Sequence, residues 1–362
     1  MSVNTPSLQG YVIAMLLHDV CEEIRLEELR TMLGARRAEP SFKHATPEYV
    51  RFEKPPVIET IAPAVLSSGE ELRTQIKYYD YGVVSVVFEL PFNGDWESLV
   101  ATAARFVPSS ELERKAQQIV RERLQRIGAA IIRPYPDWIA EDYYVFEICD
   151  IPGKPTGAEL LSQDGDAIAR ILRGENTELA VTERADALQA SLSYYPNDLV
   201  VVGWNAALIY DTHAGAETSI QILEYANSQL LEFRHYDELL THELASVYAS
   251  LKRGGGWLAR WRMRGEASRL NSVTVEVTEL VERADTAIKF VSDMFAARLY
   301  RLAATKVGVP EYKNLVNEKL KTAENLYRFM VDEFHQSRGF LLELMVVIIL
   351  VIELVYLFRG KG

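Results

Sequence analysis

The chain has 362 residues, 48% of them apolar and 25% charged, a balance that excludes wholesale disorder. Acids outnumber bases 51 to 39, and the formal charge of −12 excludes a protein that coats polyanions over its whole surface. Two cysteines, Cys21 and Cys149, are too few for a disulfide framework or a four-cysteine zinc site, so a reducing compartment is the default.

Tyr11–Leu17 reads as a strand, and His18 and Asp19 stop the apolar run too soon for an export signal. Glu22–Leu33 carries Ile24, Leu26, Leu29, Met32 and Leu33 at helical spacing and ends at Gly34. Residues 35–70 hold five prolines and are predicted irregular. Ile76–Tyr79 and Val83–Leu90 form a hairpin turned at Asp80-Tyr81-Gly82, where glycine permits positive φ. A helix over Asp95–Val107 and a charged helix over Ser109–Ile127 follow, then a linker at Arg133–Trp138.

The same order recurs downstream. Tyr144–Cys149 is a strand, Gly157–Leu172 is mostly helix, and Ala187–Tyr195 with Leu199–Tyr210 form a hairpin turned at Pro196-Asn197-Asp198. The pattern predicts an α+β fold made of a duplicated β-α-β-β-α unit.

Beyond Ala216 the pattern becomes helical. Ala226, Leu230, Phe233, Asp237, Leu240, Leu244, Val247 and Leu251 alternate at spacings of four and three, as in a coiled-coil seam. Val277, Val281, Ala284, Ile288, Val291 and Phe295 continue the rhythm in a second helix over Trp257–Lys306. Val316, Leu320, Ala323, Tyr327, Met330 and Phe334 carry it through a third. The predicted domains are a first α+β unit at 1–108, a helical linker at 109–140 and a second unit at 141–214. Long antiparallel coiled-coil helices at 215–339 and a transmembrane helix at 340–358 complete them.

That last segment, FLLELMVVIILVIELVYLF, is nineteen residues or about 28 Å of helix, close to a bilayer's hydrocarbon thickness. Its fifteen Leu, Ile, Val and Phe residues contribute roughly −7 kcal/mol to insertion, against at most about +5 to +7 for Glu343 and Glu353 at mid-span. Both acids lie near the ends, where the penalty shrinks. The expectation is a single-pass C-terminal anchor with the bulk of the protein on the cytoplasmic side.

Enzyme signatures are scarce. No Walker or dinucleotide glycine loop, GxSxG elbow, CxxC or HExxH occurs. Glu232, His235, Glu238 and His242 share a helix face and offer metal-ligand types, but such charged stretches are mostly solvated faces or ion pairs. No catalytic residue, metal or cofactor is assigned, and no small-molecule substrate is identified. Asp237 sits in the seam, where a polar residue fixes register, and Arg234 is its expected neutralising partner. The tyrosines at 78, 79, 81, 194 and 195 are expected to close sheet ends.

Lys252–Arg269 gathers six bases, Lys252, Arg253, Arg260, Arg262, Arg264 and Arg269, against the single acid Glu266. Trp257 and Trp261 stand one turn apart within it. Such a segment suits anionic headgroups or RNA phosphates and bases. Glu343 and Glu353 fall off the extrapolated seam, which points to cover by a neighbouring subunit.

YVIAMLLHDVCEEIRLEELRTML near the start, YYDYGVVSVVF in the middle, the long helices and the apolar segment near the end together resemble the Required for Meiotic Nuclear Division family. The resemblance implies membrane anchoring, homo-oligomers and, for organelle members, support of translation in the mitochondrial inner membrane. It carries over no catalytic residue. The sequence thus leads to a non-enzymatic, tail-anchored homo-oligomeric scaffold whose partners are membrane lipid and itself. A membrane-tethered RNA- or ribosome-binding factor is the alternative, and a membrane-bound enzyme the third.

Overall fold

The structure is a computed structural model that describes residues 7–34, 50–52, 54–252, 257–286, 288–290 and 294–359. The chain divides into two compact units, Met1–His235 with Glu282–Lys313, and Tyr236–Val281 with Asn314–Gly362.

The first unit is built on one mixed eight-stranded sheet of order β3-β4-β5-β1-β6-β9-β8-β7. Its strands are β1 (Leu8–Ile24), β3 (Val57–Val65), β4 (Glu71–Tyr78), β5 (Val83–Gly94), β6 (Ile131–Asp150), β7 (Ser191–Leu192), β8 (Leu199–Val202) and β9 (Ala206–Tyr210). A separate short pair joins β2 (Val50–Phe52) to β10 (Ile288–Phe290). The central strand β1 is covered on both faces, and so its residues are almost uniformly buried instead of alternating.

Helices cover both faces of this sheet. On one side Val12, Ala14, Leu16 and Val20 of β1 join a core with α1 (Leu26–Leu33), α2 (Trp96–Phe106), α3 (Ser110–Ile127), α4 (Gly157–Gln163) and α5 (Gly165–Arg173). On the other, Ile13, Met15 and Leu17 pack with the first part of α7 (His213–Lys252) and with α9 (Met294–Val307). The short helix α6 (Val181–Gln189) precedes β7. Local chemistry sets the helix starts. Asp95 accepts from the Ser98 backbone N–H at 2.8 Å, and Thr156 and Glu159 form a reciprocal capping box.

The two halves of the sheet do not repeat one another in strand direction. β1 pairs antiparallel with β5, whereas β6 pairs parallel with β9. Of Ala187–Tyr195, expected to open the second hairpin, the first three residues end the helix Val181–Gln189 and only Ser191–Leu192 pairs with β8. Arg133–Trp138 is part of β6 rather than a linker. Pro134 and Pro136 offer no N–H to the ladder, and the register slips there between Asp19↔Ile139 and Cys21↔Pro134.

The second unit contains the later part of α7, most of α8 (Trp257–Thr286) and α10 (Val309–Arg359). Leu244, Val247, Ala267, Leu270, Ala323 and Met330 form its apolar cluster. The single second helix expected over Trp257–Lys306 is instead interrupted by β10, which a main-chain ladder to β2 holds extended. In the first unit, α7 is buried nearly all round between Ile222 and Phe233, so that stretch is a core helix and not a two-stranded seam.

Among the described residues no helix is long and apolar enough to cross a membrane, which overturns the expected single-pass C-terminal anchor and the membrane location built on it.

Candidate functional site

Tyr135 and Trp138 lie in the stretch of β6 where the register to β1 slips. Tyr135 stacks on His235 with ring centroids 4.3 Å apart, and Trp138 meets His18 edge-on at 6.2 Å. His18 and Asp19 are adjacent on β1 and so point to opposite faces of the sheet. Both are buried. Asp19 Oδ2 lies 2.9 Å from His235 Nδ1 of α7, and burial pushes the Asp19 carboxyl well above the usual carboxylate range. Cys21, two residues further along the strand, is pushed up to about 12 by burial and then by the Asp19 charge.

A hollow of about 430 Å³ opens beside this cluster, lined among others by Val20, Arg121, Gln125, Tyr135 and Trp138. Arg121 stands over the Trp138 ring, 5.8 Å from its centroid. The cluster can hold and move a proton between a carboxyl and an imidazole, but Asp19 is 1% exposed and Tyr135 covers the imidazole. Burial favours a structural role for the pair.

Earlier on α7, Glu224 accepts from Lys77, and Ser228 and Tyr81 share a hydrogen bond of 2.7 Å. Tyr300 donates to Gln229, which in turn donates to Tyr225. The tyrosines at 78, 79 and 81 are thus core residues, whereas Tyr194 and Tyr195 are exposed and Tyr194 packs edge-on against Phe295.

The seam residue Asp237 is engaged, though not by Arg234. Lys319 of α10 reaches Asp237, while Arg234 pairs with Glu141 of β6. Lys252 is exposed, and Arg269 is half-exposed with its guanidinium 2.5 Å from Glu243. Arg253 lies outside the described residues, as do the side chains of Trp257, Arg260, Trp261, Arg262, Arg264 and Glu343. Glu353 is exposed on α10.

Glu232, His235, Glu238 and His242 do not assemble as metal ligands, because His235 is turned to Asp19 and His242 is largely exposed. Among the described residues, three ligand atoms come within 4.8 Å of one another at Glu147, Cys149 and His213, a set the sequence analysis missed. Only the two-residue spacing of Glu147 and Cys149 on a strand was available to signal it.

Residues 9–217 match the family described as Uncharacterized protein MJ0711, N-terminal domain. The Uncharacterized protein MJ0711 of Methanocaldococcus jannaschii is 19% identical over 197 residues, covering 54% of this chain. The matched region spans 60% of that relative's length. No solved structure matches the chain.

These findings overturn the resemblance to the Required for Meiotic Nuclear Division family. The motifs that carried it fall on β1 with the helix α1 after it and on the β4–β5 hairpin, and two-sided burial of β1 demands an apolar run from any such sheet. With more than half of its length matched, the chain belongs to the family of the MJ0711 N-terminal domain.

Proposed function

We propose that the protein is a non-enzymatic scaffold that associates with copies of itself through the C-terminal part of α10. The observation that supports this is the run Met345–Tyr356, in which every apolar side chain is about half exposed or more, from 49% at Ile348 to 81% at Tyr356. These side chains surround the helix instead of forming one stripe, so a single flat partner face leaves part of them in water. Neighbouring copies of the same helix, packed as a bundle, cover them on several sides.

The test is the mass of the full chain in aqueous buffer, by light scattering after size exclusion. A defined multiple of the monomer is expected. Replacing Ile348, Ile352 and Val355, which lie on one helix face, by lysine should dissociate it while leaving the near-ultraviolet circular dichroism of the sheet unit unchanged. A monodisperse monomer for the unaltered chain defeats the proposal.

A further inference from the structure

Glu147 and Cys149 stand two residues apart on β6, so both side chains leave the same face of the strand. β9 runs parallel beside it, with Ile209 opposite Glu147 and Tyr210 opposite Ile148. The chain leaving β9 therefore passes the carboxyl end of β6 and starts α7 at His213. Sheet register brings together residues 64 and 66 positions apart in sequence.

His213 Nδ1 lies 2.9 Å from Glu147 Oε1, and Cys149 Sγ lies 3.2 Å from the same oxygen. The Tyr11 ring, 4.9 Å from the imidazole, holds the histidine against the strand. Hydrogen bonding alone does not satisfy this group. Both contacts converge on Oε1, while the buried Oε2 has no hydrogen-bond partner among the described residues. Glu147 is 2% exposed, and a buried carboxylate oxygen without a partner is costly. A cation between the three groups answers that deficit.

A thiolate, an imidazole and a carboxylate together suit a borderline-soft divalent ion such as zinc. Tetrahedral bonds of 2.0–2.3 Å place ligand atoms about 3.3–3.7 Å apart. Contacts of 2.9 and 3.2 Å, with all three atoms inside 4.8 Å, reach that arrangement by shifts of a few tenths of an ångström to about 1 Å. The His213 side chain is 61% exposed, so the site is open to solvent on one side.

We propose that Glu147, Cys149 and His213 bind a zinc-type divalent metal ion, with three protein ligands and a fourth position left to water. The site lies in the sheet unit and does not depend on self-association through α10.

The test uses the full chain, stripped with chelator and titrated with Co²⁺ and then Zn²⁺. One Co²⁺ per chain with thiolate-to-cobalt charge-transfer absorption is expected, and Zn²⁺ should displace it. Cys149→Ser should abolish that absorption, whereas Cys21→Ser should keep it. His213→Asn, at an exposed position that tolerates substitution, should weaken Zn²⁺ binding by at least about tenfold. If Cys149→Ser fails to fold by circular dichroism, His213→Asn decides alone. Absence of the charge-transfer band, its survival in folded Cys149→Ser, or unchanged Zn²⁺ affinity in His213→Asn overturns the proposal.

Discussion

Lys319 of α10 places its ammonium 2.5 Å from Asp237 Oδ1 of α7 and also donates to Thr241 Oγ1 and, at 3.2 Å, to the Asp237 backbone carbonyl. One lysine thus satisfies three acceptors on one turn of the facing helix, fixing the register of the two helices within the second unit. Asp237 and Lys319 are both partly buried, which shields the pair from solvent more than a surface pair. Lys319→Met should destabilise the chain by about 1–3 kcal/mol, and a double-mutant cycle with Asp237→Leu should return a favourable coupling of about 1 kcal/mol or more. Additive effects in denaturant titrations would show that the pair does not set register.

The Lys77–Glu224 pair in the first unit is more deeply placed, with side chains 12% and 1% exposed. Removing the lysine leaves a buried carboxylate uncompensated, so Lys77→Met should cost roughly 3–5 kcal/mol. The double replacement Lys77→Met with Glu224→Leu removes both charges and should recover much of that loss. Chemical denaturation at pH 7 measures both.

His18 supplies a pH signature. Burial lowers its pKa from 6.5 to about 4, so the folded protein holds it neutral where the unfolded chain takes up a proton. Stability should therefore fall as pH drops from about 6.5 to about 4, by at most about 3 kcal/mol from this group. Glu113, Glu141 and Asp142 share a small cavity with it, and burial raises the pKa of Glu141 and Asp142, which works in the opposite sense as pH falls. The comparison with His18→Gln isolates the histidine. Equal pH slopes for the two proteins would remove it as a cause.

Gly82 has φ of +96°, and a Cβ there would stand 1.7 Å from the Cys21 carbonyl oxygen. Gly82→Ala should thus cost at least about 2 kcal/mol through strain and collision together. Gly69 has a similar φ of +87° but open space around it, so Gly69→Ala should cost about 1 kcal/mol. Matched thermal unfolding of the two variants separates collision from strain.

Features governed by neighbours in sequence were legible without the structure. The helices expected over Asp95–Val107 and Ser109–Ile127 and the glycine of the β4–β5 turn each depend on residues a few positions apart, and the structure has helices over Trp96–Phe106 and Ser110–Ile127 and a positive φ at Gly82. The burial of Leu240, Leu244 and Val247 follows from their spacing for the same reason.

What long-range pairing governs was decided only by the tertiary structure. His18 and Asp19 look like the end of an apolar run, yet β1 continues through both because partners on two faces and two flanking strands bury them. Tertiary pairing with β2 holds Ile288–Phe290 extended inside a stretch whose spacing reads as helix. Whether β9 runs parallel or antiparallel to β6 is not encoded by either strand alone, and that direction brings His213 to Glu147 and Cys149. The apolar composition of Met345–Tyr356 is plain in the sequence. Composition fixes that such side chains need cover, and the environment of the folded chain decides what provides it.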